Sequence, residues 1–264
     1  MSVTRRLDRS GYALCFDEDF TGGVLNGDRW IDHYLPHWTT PARSAARYAL
    51  TGDGLELRID ADQPAWRPED GELRVSNLQT GSFAGPVGST IGQHRHRPDL
   101  QVRTAVPTRS SWTPSSGLVE VTVSASPDVT CMVGIWMVGF EQNGPTESGE
   151  ICIAELFGDA VGRYGSNIRA GVKAHHDPRL RTDIVDVSLD LDATTAHTYA
   201  AAWDAAGIGI YVDDDLVREL DQAITYPQQL MIDLFEFPDG TDRPDRAYPK
   251  SAVVHRVRAF EPLL

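Results

Sequence analysis

The sequence predicts an all-β protein, a two-sheet antiparallel β-sandwich, and three observations carry that prediction. Segment after segment alternates apolar and polar residues with a period of two, which sends one side chain into a core and the next outside it. The 264 residues, 41% of them hydrophobic, suffice for one large core. No internal repeat, low-complexity tract or interdomain linker divides the chain, so residues 16–264 are expected to form a single domain behind an N-terminal arm over 1–15.

Composition narrows the partners. A formal net charge of −14 disfavours nucleic acid and anionic membranes, and no window approaches the apolar run of a membrane-spanning helix. The 3 cysteines, Cys15, Cys131 and Cys152, are too few and too scattered for a disulfide framework or a zinc site. The first ten residues are charged and lack an apolar stretch behind them. The chain as written is therefore expected in the cytoplasm, or secreted if a signal was trimmed. A monomer is expected.

Taken in order, Phe16–Phe20 reads as a strand, Gly22-Gly23 as a turn and Trp30 as an apolar anchor. His33–Pro41, with Tyr34, His37 and Trp38, is a loop rich in rings. Residues 54–60 alternate cleanly, with Leu55, Leu57 and Ile59 inward. Residues 61–71 are loop. Leu78–Pro98 reads as a solvated loop; its His94-Arg95-His96-Arg97 run could alternatively edge a cleft and accept a carboxylate or sulfate. Residues 117–123 form a strand, and so do 131–140. Parity there turns Cys131, Val133, Ile135 and Met137 to the core and Gly134 and Trp136 to the other face. A tryptophan on that face offers a sugar ring a stacking surface.

Residues 149–158 are the focus. Ile151 and Ile153 alternate with Glu150 and Cys152, but Glu155 follows Glu150 by an odd number of positions and would point to the opposite face of a regular strand. A one-residue bulge at Ile153-Ala154 returns it to the side of Glu150. Two carboxylates about 5–5.5 Å apart suit retaining glycoside hydrolysis. Beyond them, 167–176 alternates again, with Arg169, Lys173 and His175 opposite Ile168, Ala170 and Val172. Further strands are expected at 185–191, 197–203, 207–217, 227–237 and 253–260.

Glu150-Ile151-Cys152-Ile153-Ala154-Glu155 resembles the E-x-D-x-x-E signature of glycoside hydrolase family 16, with Cys152 where the family has its central Asp. The opening Phe16–Gly23 and Leu25–Trp30, the hairpin His197–Val217, the strand Pro227–Phe237 and the closing Val253–Phe260 are similar to the family's pattern as well. The resemblance implies a concanavalin-A-like jelly roll and a retaining, endo-acting enzyme on a β-linked polysaccharide, of β-glucan or galactan type. It implies Glu150 as nucleophile, Glu155 as acid/base and Cys152 in the slot of the group that hydrogen-bonds the nucleophile. Substrate contacts are implied for Trp136, Arg169, Lys173 and His175, and for Asp233 and Phe235 in the family's Asn and Trp slots. Some members bind calcium through a closing-strand Asp. His255 occupies that slot and is a poor ligand for a hard cation, so neither metal nor cofactor is expected. A non-catalytic carbohydrate-binding protein on the same sandwich is the alternative, and an interaction sandwich without a sugar site a third.

Overall fold

A computed structural model describes residues 5–237 and 247–263, and the alternating segments are strands in it. In chain order they are β1 (Tyr12–Glu18), β2 (Arg47–Thr51), β3 (Gly54–Ile59), β4 (Arg74–Gln79), β5 (Gly81–Ser82), β6 (Arg109–Ser110), β7 (Gly117–Ser124) and β8 (Cys131–Gly139). Then follow β9 (Glu150–Phe157), β10 (Ser166–Lys173), β11 (Asp183–Leu189), β12 (His197–Trp203), β13 (Ile208–Val212), β14 (Asp215–Leu220), β15 (Gln228–Glu236) and β16 (Lys250–Pro262). One large sheet runs β14-β13-β12-β7-β16-β3-β2, with β1 also paired to β16; the other runs β11-β10-β9-β8-β15-β4. All these pairings are antiparallel.

The core lies between the sheets, where alternation places it. Leu55, Leu57, Ile59, Val119, Val121 and Val123 of the first sheet meet Cys131, Val133, Ile135, Met137, Ile151 and Leu156 of the second, all buried. A second apolar cluster lies on the far side of the β8–β9–β15 sheet. Trp136, Phe235, Met231, Met132 and Cys152 are covered there by Tyr34, Leu35, Trp38, Trp66, Leu100 and Val102 from the loops. The ring-rich loop at 33–41 is thus part of a roof over half of this face, with a short 3-10 turn at Pro36–Trp38.

Three details differ from the sequence reading. Residues 5–15 of the expected arm are packed: Leu7 is buried against Leu118, Tyr211 and Phe260, and β1 begins at Tyr12 rather than near Cys15. Residues 1–4 lie outside the described residues. Leu78 and Gln79 belong to β4, a strand whose Ser76, Asn77 and Gln79 are all buried. Their polarity hides it from a search for apolar alternation. Finally, β10 stops at Lys173, and His175 takes a left-handed backbone at φ 47°.

Candidate active site

The site is made by an irregularity in β9. Against β8, Ile135 pairs with Ala154 and Trp136 with Cys152, and the register shifts between them; β10 shows the matching shift between Arg169 and Gly171. Ile153 and Ala154 both sit in the inter-sheet core. That is the bulge at the expected place, and it turns Glu150, Cys152 and Glu155 to the outer face together. One ligand atom of each, two carboxylate oxygens and the thiol sulfur, lie within 4.8 Å of one another.

Neighbours from β10 hold the carboxylates. Lys173 Nζ stands 2.9 Å from Glu150 Oε1 and 2.6 Å from Glu155 Oε1. His175 Nε2 lies 2.7 Å from Glu150 Oε2. Glu150 is only 1% exposed, and burial alone would raise its pKa. The His175 hydrogen bond and the Lys173 charge outweigh that and bring it down to about 2. Burial likewise opposes the Lys173 ammonium, yet Glu150 and then Glu155 hold its pKa above the ordinary value. Lys173 and His175, expected to touch substrate, are therefore first of all partners of the carboxylates. Arg169 is half exposed, pairs with Asp186 at 3.1 Å and lies over the Phe157 ring.

The run His94–Arg97 is divided between two jobs. The His94 ring meets His175 edge-on, centroids 4.9 Å apart, and burial, then the His175 charge, pushes its pKa down to about 3. His96 and Arg97 turn to Asp70 instead, at 3.2 and 2.5 Å. The carboxylate that this patch accepts is the protein's own. Glu141, 5% exposed at a backbone φ of 56°, accepts a 2.6 Å bond from the His94 backbone N–H, and burial raises its pKa to about 8.

Trp136, Asp233 and Phe235 do face the same side as the carboxylates, but under the roof. The Trp136 indole lies flat over Gly134, where an added Cβ would come within 2.7 Å of it; a side chain at 134 would push the ring off the sheet. Lys173 Nζ is 5.2 Å from the Trp136 ring centre. Phe235 packs edge-on against Tyr34 at 5.3 Å. Asp233 is 0% exposed and accepts from Asn77 Nδ2 at 2.8 Å. Burial and the nearby Glu150 raise its pKa well above the usual carboxylate value. Asp233 and Phe235 thus line the underside of the site rather than an open cleft. Cys152, read as cleft-facing, is also fully buried, its thiol donating to the Arg169 carbonyl at 3.4 Å.

The family model described as "Glycosyl hydrolases family 16" matches residues 72–242, a span that contains the bulged strand and every strand of its sheet. The chain belongs to glycosyl hydrolase family 16. No curated protein matches it in a sequence search. Among solved structures it is similar to a GlcNAcα1-4Gal-releasing endo-β-galactosidase from Clostridium perfringens, 24% identical with a TM-score of 0.82, over 97% of this chain and 64% of that one. It is also similar to the catalytic domain of an endo-1,3-β-glucanase (laminarinase) from Thermotoga petrophila, 16% identical with a TM-score of 0.65, over 96% of this chain and 99% of that one. An endo-β-1,3-glucanase from Pyrococcus furiosus is 17% identical with a TM-score of 0.63, over 96% of this chain and 95% of that one. At these identities the likeness is one of fold, a two-sheet jelly roll.

In this family 16 member Glu155 reaches a solvent-filled groove, while Glu150 lies beneath it. A groove of about 590 Å³ is lined by Glu155, Arg169, Lys173, Thr182, Ile184, Val185 and Asp186, over β9, β10 and β11. His94, Asn77, Tyr34 and Glu141 were not singled out as site residues from the sequence. His94 carried a signal in its basic run and Tyr34 in its ring-rich loop; Asn77 comes from a polar strand and Glu141 from a loop without periodicity.

Proposed function

We propose that this chain is a retaining glycoside hydrolase that cuts within β-linked polysaccharides of the β-glucan or galactan type. The observation that carries the reading is the bulge, which brings carboxylate oxygens of Glu150 and Glu155 within 4.8 Å on one face. Glu150, ionised down to about pH 2, attacks the anomeric carbon. Glu155, on the groove side, gives a proton to the leaving oxygen and then takes one from the water that clears the glycosyl-enzyme. Lys173 sits between the two acids in the resting site. A sugar entering from the groove must draw its ammonium away from Glu155, since an ion-paired carboxylate has no proton to give. Arg169 and the β11 residues of the groove contact the sugars that follow.

The test is reducing-end release from a panel of β-glucans and β-galactosides, the latter included because of the fold likeness to the Clostridium enzyme. Glu150→Gln should lower turnover at least about a thousandfold, the scale of losing a catalytic nucleophile, and proton NMR of the first product should show the retained β-anomer. Undiminished activity in the variant, or an α-anomer, would rule the mechanism out. Two features favour a second reading, a carbohydrate-binding protein without turnover: Lys173 already pairs with both carboxylates and the Trp136 face is covered. Binding to a panel member with no new reducing ends would establish that one.

A further inference from the structure

We propose that His94, His175 and Glu150 form a binding site for a divalent transition-metal ion of the Zn²⁺ type, seated on the nucleophile itself. A ring nitrogen of each histidine and a carboxylate oxygen of Glu150 lie within 4.8 Å of one another. The three residues come from separate parts of the fold: the 92–98 loop, the start of β9 and the turn after β10. Local bonds hold them together. His94 is fixed through its backbone N–H to Glu141 at 2.6 Å. The adjacent His176 ties both histidine segments down, donating from Nε2–H to the Arg95 carbonyl at 3.1 Å and donating its backbone N–H to Ser148 Oγ at 2.9 Å.

The donor chemistry selects the ion. Two imidazoles and a carboxylate suit zinc, copper or nickel, whereas calcium and magnesium favour oxygen ligands throughout. Ligand atoms around a tetrahedral zinc stand about 3.3 Å apart, from bonds of about 2.0–2.1 Å, so modest side-chain rotation closes the present spacing. His175 Nε2 already points at Glu150 Oε2, 2.7 Å away, and an ion entering there replaces that hydrogen bond. The His94 ring has no hydrogen-bond partner among the described residues; it meets the His175 ring edge-on and the His96 ring at a tilt, centroids 6.5 Å apart. Lys173 opposes a cation, but Glu150 and Glu155 together set two negative charges against its one. Three protein ligands leave a fourth position for water. With Oε2 of Glu150 committed to the metal, the nucleophile cannot attack, so the bound ion inhibits. The neighbouring set of Glu150, Cys152 and Glu155 is a poorer candidate, because the thiol is spent on the Arg169 carbonyl.

Calorimetric titration of ZnCl₂ into the full chain carrying Cys15→Ser, which removes the exposed thiol, should show one ion per chain. His94→Ala and His175→Ala should each weaken it by more than about tenfold, since even partners that only orient metal ligands contribute about 10–100-fold. In case a histidine variant misfolds, Co²⁺ added to the Cys15→Ser chain should give the visible d–d bands of a four-coordinate ion without a near-ultraviolet thiolate band. Absence of binding, unaltered affinity in His94→Ala, or a thiolate band would each overturn the proposal. Calorimetry reads the metal alone, so the outcome is independent of whether the glycosidase reading holds; zinc inhibition of hydrolysis would link the two.

Discussion

Cys152 occupies a slot with no exposed surface, its S–H directed to the Arg169 carbonyl at 3.4 Å. Burial first, then Glu155 and Glu150, push the thiol pKa well above its usual value. A neutral donor fits there and an anion does not: an ionised Asp would set its charge between two carboxylates and against a carbonyl oxygen. On sequence grounds, Cys152→Asp restores a family residue and is expected to help turnover. The buried geometry adds a cost in stability of about 1–3 kcal/mol at pH 7. The cost should shrink at pH 5 as the new carboxyl takes up a proton, and melting temperatures of both proteins at the two pH values measure it. Glu141 supplies a second pH effect. Its folded pKa of about 8 lies above the unfolded value of about 4.3. The unfolded chain therefore releases this proton first, and stability present at pH 4 is lost as pH rises toward 8. Glu141→Gln should remove that slope, flattening the decline in denaturation midpoint between pH 5 and 8 by the equivalent of a few kcal/mol. A slope unchanged by the substitution would assign it to another group.

At the scale of elements, the site depends on two neighbouring strands staying in register. Opposite the bulge, Gly171 lies between Arg169 and Lys173 with φ 146°, and a Cβ there would come within 1.9 Å of the Asp183 carbonyl oxygen on β11. Gly171→Ala must part β10 from β11 or twist β10, and either movement carries Lys173 off the carboxylates. We expect a loss of at least about 2 kcal/mol in urea denaturation, whereas an unaltered midpoint would mean the strand pair yields freely. This level is also where the sequence was most informative. Alternation located β3, β7, β8, β9, β12 and β16, and the odd spacing of Glu150 and Glu155 required the bulge. Parity correctly separated Cys131 in the core from Cys152 on the outer face. What periodicity cannot encode is what covers a face. Trp136 and Phe235 have the expected direction, but loops distant in sequence decide that they are roofed. Lys173 and His175 were placed beside the carboxylates, yet their pairing with them depends on side-chain reach and on a backbone turn at His175 that the alternating pattern conceals. β4 was missed because three of its five buried residues, Ser76, Asn77 and Gln79, are polar.

At the scale of the molecule, the described residues pack their apolar side chains in three places: between the sheets, under the roof, and in a small patch on the outer face of the larger sheet. The last belongs to the N-terminal segment. Leu7 fills the patch beside Leu118, Ala200, Tyr211 and Phe260. The Leu7 N–H donates to Asp214 O at 2.8 Å and the Leu216 N–H to Arg5 O at 2.9 Å, with Arg6 in an antiparallel bridge to Asp215. The ion pairs of Arg5 with Glu219 and of Arg6 with Asp215 are exposed and add little. The backbone bonds matter more, because β14 is the last strand of its sheet. A bare terminal strand is a template on which another copy can add its own. Deleting residues 1–10 uncovers both that strand and the apolar patch beside it. Light scattering after size exclusion should then show concentration-dependent self-association beyond that of the untruncated protein, and a truncated protein eluting unchanged would show that β14 needs no cover. By occupying the open rung beyond β14, these few residues oppose the continuation of folding between molecules at that edge.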